Sequence, residues 1–283
     1  MEQNKGGNNL KVTDINELEK LANNVRIGII EQVYCGKSGH PGGALSCTDI
    51  LTALYFNKMN IDPSKPKAEG RDRFVLSKGH ASPALYAVLA ERGFFSKDEL
   101  KGFRNIESIL QGHPDMNKIP GVDATTGSLG QGLSIANGMA MASKLNGEGF
   151  RVYCILGDGE IEEGQVWEAA MSASHYNLDN LCVIVDNNNL QIDGAISDVM
   201  SPYPIDEKFK SFGFEVIVID GHNMKDILEA LCIAKKTKGK PTAIIAKTIK
   251  GKGVSYMENK ASWHGKAPNE EEYLKALEEL KQN

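Results

Sequence analysis

The chain has 283 residues, 41% hydrophobic and 24% charged, with a formal net charge of −5. That composition is globular and supplies a sizeable core, while its scattered lysines form no basic face for nucleic acid. No apolar run approaches the roughly 20 residues that cross a bilayer, so neither a nucleic-acid nor a membrane partner is expected.

Residues 1–12 read as a polar leader rich in Asn and Gly, without the apolar stretch of a signal peptide. Residues 13–283 read as one domain. Asp14-x-x-Glu17 matches a capping box, and Leu18, Leu21, Val25, Ile29 and Val33 follow at helical spacing. Ser38-Gly39-His40-Pro41-Gly42-Gly43 reads as a loop. Ser46-x-x-Asp49 reads as the start of a helix to about Lys58. A short strand is expected over 73–77, a helix over 81–92, and another from Ser96-x-x-Glu99. Gln131 to Lys144 is a helix rich in small residues. Beyond it, strands at Val152–Leu156, Leu181–Val185, Glu215–Ile219 and Thr242–Lys247 alternate with helices near 163–176, 205–212 and 223–237. An amphipathic helix closes the chain at about 270–281. Apolar strands separated by helices predict an α/β fold, a doubly wound, mostly parallel sheet with helices on both faces. Cys35, Cys47, Cys154, Cys182 and Cys232 show neither CxxC nor zinc spacing, which fits a reduced cytoplasm.

In such a sheet, ligands bind at the carboxyl ends of the strands. Gly157-Asp158-Gly159 ends one strand, and Asp186-Asn187-Asn188 ends the next. A carboxylate and an amide there, with a backbone oxygen from Leu190, suit a hard divalent cation beside phosphate oxygens. Gly159 lets backbone approach a ligand closely. Either element alone is compatible with an ordinary turn. Four of the six histidines also sit in loop-like glycine contexts: His40, His80, His113 and His264. Imidazole binds phosphate or hydroxyl oxygens and shuttles protons near neutrality. Packing has no need for Gly next to His so often, whereas close ligand approach does. His175 reads as a helix-end histidine and His222 as a Gly-His turn. Lys250-Gly251-Lys252-Gly253 suits either phosphate attraction or a solvated loop.

Gly157-Asp158-Gly159 followed by Asn187-Asn188 resembles the signature of thiamine diphosphate enzymes. With Arg71-Asp72-Arg73-Phe74-Val75-Leu76-Ser77, Gly79-His80, Thr125-Thr126-Gly127-Ser128-Leu129-Gly130-Gln131-Gly132 and the histidine loops, the chain is similar to the transketolase family over about 15–268. The resemblance implies thiamine diphosphate and Mg2+ (or Ca2+) as cofactors. It implies Asp158, Asn188 and the Leu190 carbonyl as metal ligands, and Gly159 at the diphosphate. His80 and His264 would lie at the cofactor, His264 also near the substrate carbonyl. His40 and His113 would face sugar hydroxyls, and Gly127 and Leu129 would touch the ring systems. Glu163 matches a carboxylate at a dimer interface that couples active sites. Ser128 and Gly43 depart from the family pattern without removing a functional group.

Transketolases are more than twice this long, and their remaining domains carry the pyrimidine-side carboxylate and the sugar-phosphate arginines. The resemblance therefore implies either a cut piece of a longer chain or a split enzyme, and the polar leader and closing helix favour the split enzyme. Its partner is a C-terminal transketolase subunit carrying the pyrimidine-binding domain, in an assembly with two copies of each chain, and its substrates are sugar phosphates. Readings left open are a specialised sugar transketolase, a deoxyxylulose phosphate synthase-like enzyme, a 2-oxo acid dehydrogenase α chain, and a non-catalytic module.

Overall fold

A computed structural model describes residues 11–282. Residues 1–10 of the expected leader lie outside them, and Val12 is already tied down, its amide donating to the Phe56 carbonyl at 2.9 Å. Helix α1 (Ile15–Cys35) starts where the sequence signals it, with the Asp14 carboxylate accepting the Glu17 amide at 3.0 Å. The expected loop at 38–43 is shorter than predicted. Pro41 opens α2 (Pro41–Ser46), because its fixed φ and missing N–H suit a first helical turn. Helix α3 (Thr48–Ala53) widens into a π-helical turn over Leu54–Lys58. Ser46 does not cap it; its hydroxyl bonds Asp186 across the fold at 2.5 Å.

Strand β1 (Arg73–Leu76) leads through a tight turn at Gly79–Ala81 into α4 (Ser82–Arg92). The helix expected from Ser96 is a 3-10 segment, Lys97–Gly102. Then follow α5 (Gln131–Asn146), β2 (Val152–Gly157), α6 (Gly164–His175) and β3 (Leu181–Asn187). A small hairpin, β4 (Leu190–Gln191) with β5 (Gly194–Ala195), and the single turn α7 (Ile196–Val199) have no counterpart in the sequence pattern. Two residues per strand are too few to show an alternation. The chain continues through α8 (Ile205–Ser211), β6 (Glu215–Asp220), α9 (Met224–Lys236), β7 (Thr242–Lys247) and α10 (Glu270–Gln282).

The sheet is parallel throughout, in the order β1-β2-β3-β7-β6. Alternate residues feed two cores. Tyr153, Ile155, Cys182 and Ile184 pack toward α1, α3, α4 and α9. Val152, Cys154, Leu156, Leu181, Val183 and Val185 pack toward α5, α6 and α8. Both faces are covered, which is why the strands are apolar runs rather than alternating ones.

The charged stretch before β1 pins its start. Arg71 forms a buried pair with Asp123, which also accepts the Phe74 amide at 2.9 Å. Asp72 accepts the Arg151 amide at 2.9 Å and the Asn60 amide at 2.8 Å. Asp123→Ala would leave Arg71 buried and uncompensated, and should cost about 3–5 kcal/mol in urea unfolding. A loss under about 1 kcal/mol would show that water reaches the guanidinium.

Candidate active site at the carboxyl edge of the sheet

A cavity of about 390 Å3 opens beside the ends of β1, β2 and β3. The turns after parallel strands meet there by topology: Gly157 is in register with Asp186, and Asn187 with Lys247. His40, His80, His113, His264, Gly127, Leu129, Asp158, Gly159, Asn188 and Leu190 all line it. Residues drawn from seven separate stretches of sequence thus share one chamber. Glu163 does not line it. It is exposed at the start of α6, with its side chain packed against Gly130.

Asp158 is 2% exposed and rigidly aimed. Its Oδ1 accepts the Gly159 amide at 3.0 Å. Its Oδ2 accepts Asn187 Nδ2 at 3.0 Å and the Asn189 amide at 2.6 Å. A carboxylate offers about four acceptor positions. The remaining one is therefore on Oδ1. Burial and then the nearby Asp186 carboxylate push Asp158 up to about 6, the response of a carboxyl suited to pairing with a cation. Asn188 is oriented by the Leu190 amide, which donates to its Oδ1 at 3.2 Å. One carboxylate, one amide oxygen and one backbone oxygen form a donor set suited to Mg2+ that shares its shell with phosphate.

Three imidazoles form a triangle. Ring centroids are 5.1 Å apart for His40–His80, 5.3 Å for His80–His264 and 5.4 Å for His40–His264. Burial, reinforced by the Lys78 ammonium, pushes His80 down to about 2. Burial and Lys250 push His264 to about 3. Burial and Arg104 push His40 to about 4 and also lower His113. All four are neutral near pH 7, so each can donate at one nitrogen and accept at the other. Ring proton resonances of His40, His80 and His264 should accordingly stay flat from about pH 8 to about pH 5.5. A midpoint near 6.5 for any of them would refute the burial argument.

Two lysines to which the sequence pattern assigns no firm role also reach the chamber. Lys78 donates to Asp186 at 2.5 Å and to the Gly43 carbonyl at 2.6 Å. Burial alone would lower its pKa, but the Asp186 carboxylate outweighs that and holds it charged. Lys250 is 2% exposed, so its glycine-flanked segment is not a solvated loop. It donates to the Leu190 carbonyl at 3.0 Å and contacts His264 Nδ1 at 2.9 Å. Burial and the Lys78 charge bring it down to about 8. Its signal in the sequence is Lys flanked by glycine just after a strand, the same signal that singles out the histidines. Glu160, which no motif marks, braces the wall: it accepts Ser77 Oγ, the Gly130 amide at 3.0 Å and the Gly157 amide at 2.9 Å.

These residues fit a diphosphate-bearing cofactor. His40 lines the chamber, and its Nδ1 is buried without a hydrogen-bond partner, as expected of a group that awaits a ligand. A Cβ on Gly43 would stand 3.8 Å from Lys78 Nζ and 3.9 Å from His80 Nε2, so glycine there leaves the chamber open between two donors.

The family model described as transketolase, thiamine diphosphate binding domain, matches residues 18–282. The chain belongs to the transketolase family. Its thiamine diphosphate-binding fold is shared with transketolase of Campylobacter jejuni, with a TM-score of 0.89 and 37% identity over 95% of this chain and 43% of that one. It is 44% identical to one chain of the apulose-4-phosphate transketolase of Phocaeicola vulgatus, a subunit matched over 94% of both sequences. It is also 44% identical to a 6-deoxy-6-sulfo-D-fructose transketolase subunit of a Clostridium species, over 93% of this chain and 96% of that one. Human transketolase is 46% identical over 252 residues, but this chain spans only 40% of its length. The chain therefore matches transketolase subunits along nearly their whole length and long transketolases along about two-fifths.

Proposed function

We propose that this chain is the diphosphate-binding subunit of a two-chain transketolase. With a partner subunit that carries the pyrimidine-binding domain, it transfers a two-carbon ketol unit from a ketose phosphate to an aldose phosphate. The observation that carries this reading is the end-to-end match to transketolase subunits, joined to the chamber where the family's histidines and the Asp158–Asn188 pair meet. Thiamine diphosphate supplies the carbon–carbon bond chemistry when bound. Asp158, Asn188 and the Leu190 carbonyl hold Mg2+ (or Ca2+) against the diphosphate, with Gly159, His80 and Lys250 beside it. Gly127 and Leu129 support the ring systems. His40, His113 and His264, all neutral, bind sugar hydroxyls and the carbonyl, and pass protons without adding charge.

Leu129 and Ile192 line the chamber yet stand 38% and 66% exposed. Large apolar side chains at the mouth of a polar site suit a covering subunit. Glu163, exposed and packed against Gly130 next to Leu129, belongs to that contact surface in this reading. The enzyme is cytoplasmic, with two copies of each chain, and residues 13–283 act as one domain. Relatives named for a branched sugar phosphate and for a sulfosugar are both 44% identical, so a specialised sugar donor is the second reading.

The test mixes this chain with a candidate partner, thiamine diphosphate and Mg2+, and follows two-carbon transfer across ketose phosphate, sulfoketose and branched-sugar donors. Transfer only in the mixture is expected. If the cofactor binds but no donor is used while pyruvate is decarboxylated, the enzyme is a 2-oxo acid decarboxylating type instead. If the isolated chain and the mixture both ignore thiamine diphosphate, the chain is a non-catalytic module.

A further inference from the structure

We infer that His222, anchored by Asp49 and Arg26, is a positioning residue that fixes the Ile249–Lys250 turn and thereby sets Lys250 in the chamber. His222 lies in the turn between β6 and α9, outside the chamber's lining. Its side chain is 12% exposed. Its Nε2 accepts the Ile249 amide at 2.8 Å. A backbone N–H can only donate, so Nε2 carries no proton, and the ring proton is on Nδ1. Nδ1 then donates to Asp49 Oδ2, 2.8 Å away. The same oxygen takes Arg26 Nη2 at 2.5 Å. Burial alone would raise the Asp49 carboxyl, but Arg26 and His222 outweigh it and keep it ionised. The relay therefore runs Arg26–Asp49–His222–Ile249 with every donor and acceptor role assigned.

The turn it reaches is held on both sides. The Thr248 amide donates to the Asn187 carbonyl at 3.1 Å, and the Gly251 amide to the Gly42 carbonyl at 3.0 Å. Between these anchors, the Ile249 amide is held by a side chain from another loop. Lys250 follows directly, and its ammonium must reach both Leu190 and His264. A displacement of about 1 Å in such a group has large consequences for a bound reactant. Packing does not demand this chemistry. A buried charged relay costs desolvation that an apolar replacement would avoid, whereas only a directional acceptor holds an amide in place.

The inference rests on the proposed cofactor role of the chamber, and its test separates the two. Three variants of the full chain are compared. H222N keeps an amide beside Asp49 but withdraws the acceptor from Ile249. H222F keeps a ring and loses both bonds. H222Q brings an amide oxygen to the position of Nε2. Amide hydrogen exchange over 248–251 and the thermal midpoint are read on the free chain, and thiamine diphosphate affinity with Mg2+ by calorimetry. H222N and H222F should speed exchange in that turn and weaken thiamine diphosphate about tenfold, and H222Q should restore both. Wild-type exchange in all three variants would overturn the inference. So would losses that track a melting defect shared by H222Q, or failure of both H222N and H222F to fold, since His222 would then be a core support. If the wild-type chain takes up no thiamine diphosphate either alone or mixed with the partner, the functional reading falls, and exchange with its H222Q rescue still decides the strut.

Discussion

Gly132→Ala should destabilise the chain by more than the roughly 1–3 kcal/mol usual for an overpacked core. The first turn of α5 lies directly on the end of β1. A Cβ at 132 would overlap Ser77 Oγ and stand 2.5 Å from Ser77 Cβ and 2.7 Å from its Cα. Neither side can retreat. The Ser77 amide donates to the Ile155 carbonyl at 2.9 Å, and its hydroxyl bonds Glu160. Glu160 in turn holds the Gly130 amide at the start of the same helix. Moving α5 would strip a buried carboxylate of its donors, and moving β1 would break the sheet. Gly138, further along α5, has no heavy atom within 4 Å of an added Cβ. Gly138→Ala should therefore gain about 0.5–1 kcal/mol from helix propensity alone. Urea midpoints of the two variants measure the contrast. A wild-type midpoint for Gly132→Ala would mean that α5 and β1 are not in close contact.

The Gly132 contact also shows why parts of this fold are legible in the sequence and parts are not. Strands β2, β3, β6 and β7 can be read because each is an apolar run between helical stretches, and a parallel sheet buried on both faces requires that pattern. The positions of Asp158 and Asn188 follow from topology, since the ends of adjacent parallel strands share one edge. Histidine beside glycine marks places where backbone and ligand come close, and His40, His80, His113 and His264 do converge. Partnership across the fold carries no local signature. Ser46 and Asp49 have helix-cap spacing, yet their side chains reach Asp186, Arg26 and His222 instead. The sequence offers no sign that Asp49 and His222, 173 residues apart, share a hydrogen bond. Lys250 is ambiguous in the sequence for the same reason: a lysine beside a glycine is solvated or buried according to what folds over it.

Asp158→Asn should abolish tight thiamine diphosphate binding while leaving the fold intact. The substitution keeps shape and removes charge. Oδ2 takes two donors, Asn187 Nδ2 and the Asn189 amide, so the new amide must place its oxygen there. Its NH2 then occupies the site of Oδ1, the oxygen with an acceptor position to spare. A cation at that point would meet two N–H groups instead of a carboxylate oxygen. Loss of a partner that merely orients a metal ligand typically costs 10–100-fold in affinity, so loss of the ligand charge itself should exceed about a hundredfold. Folding should hardly suffer. Burial and the Asp186 carboxylate already disfavour the charged form of Asp158, so neutralising it offsets the lost bond from the Gly159 amide. Calorimetric titration of thiamine diphosphate, with and without Mg2+, measures the first effect, and the thermal midpoint the second. The Mg2+ dependence of the wild type should vanish in the variant. Equal affinity in both chains, or binding that ignores Mg2+ in both, would remove Asp158 from the metal site and leave the diphosphate to the lysines and histidines.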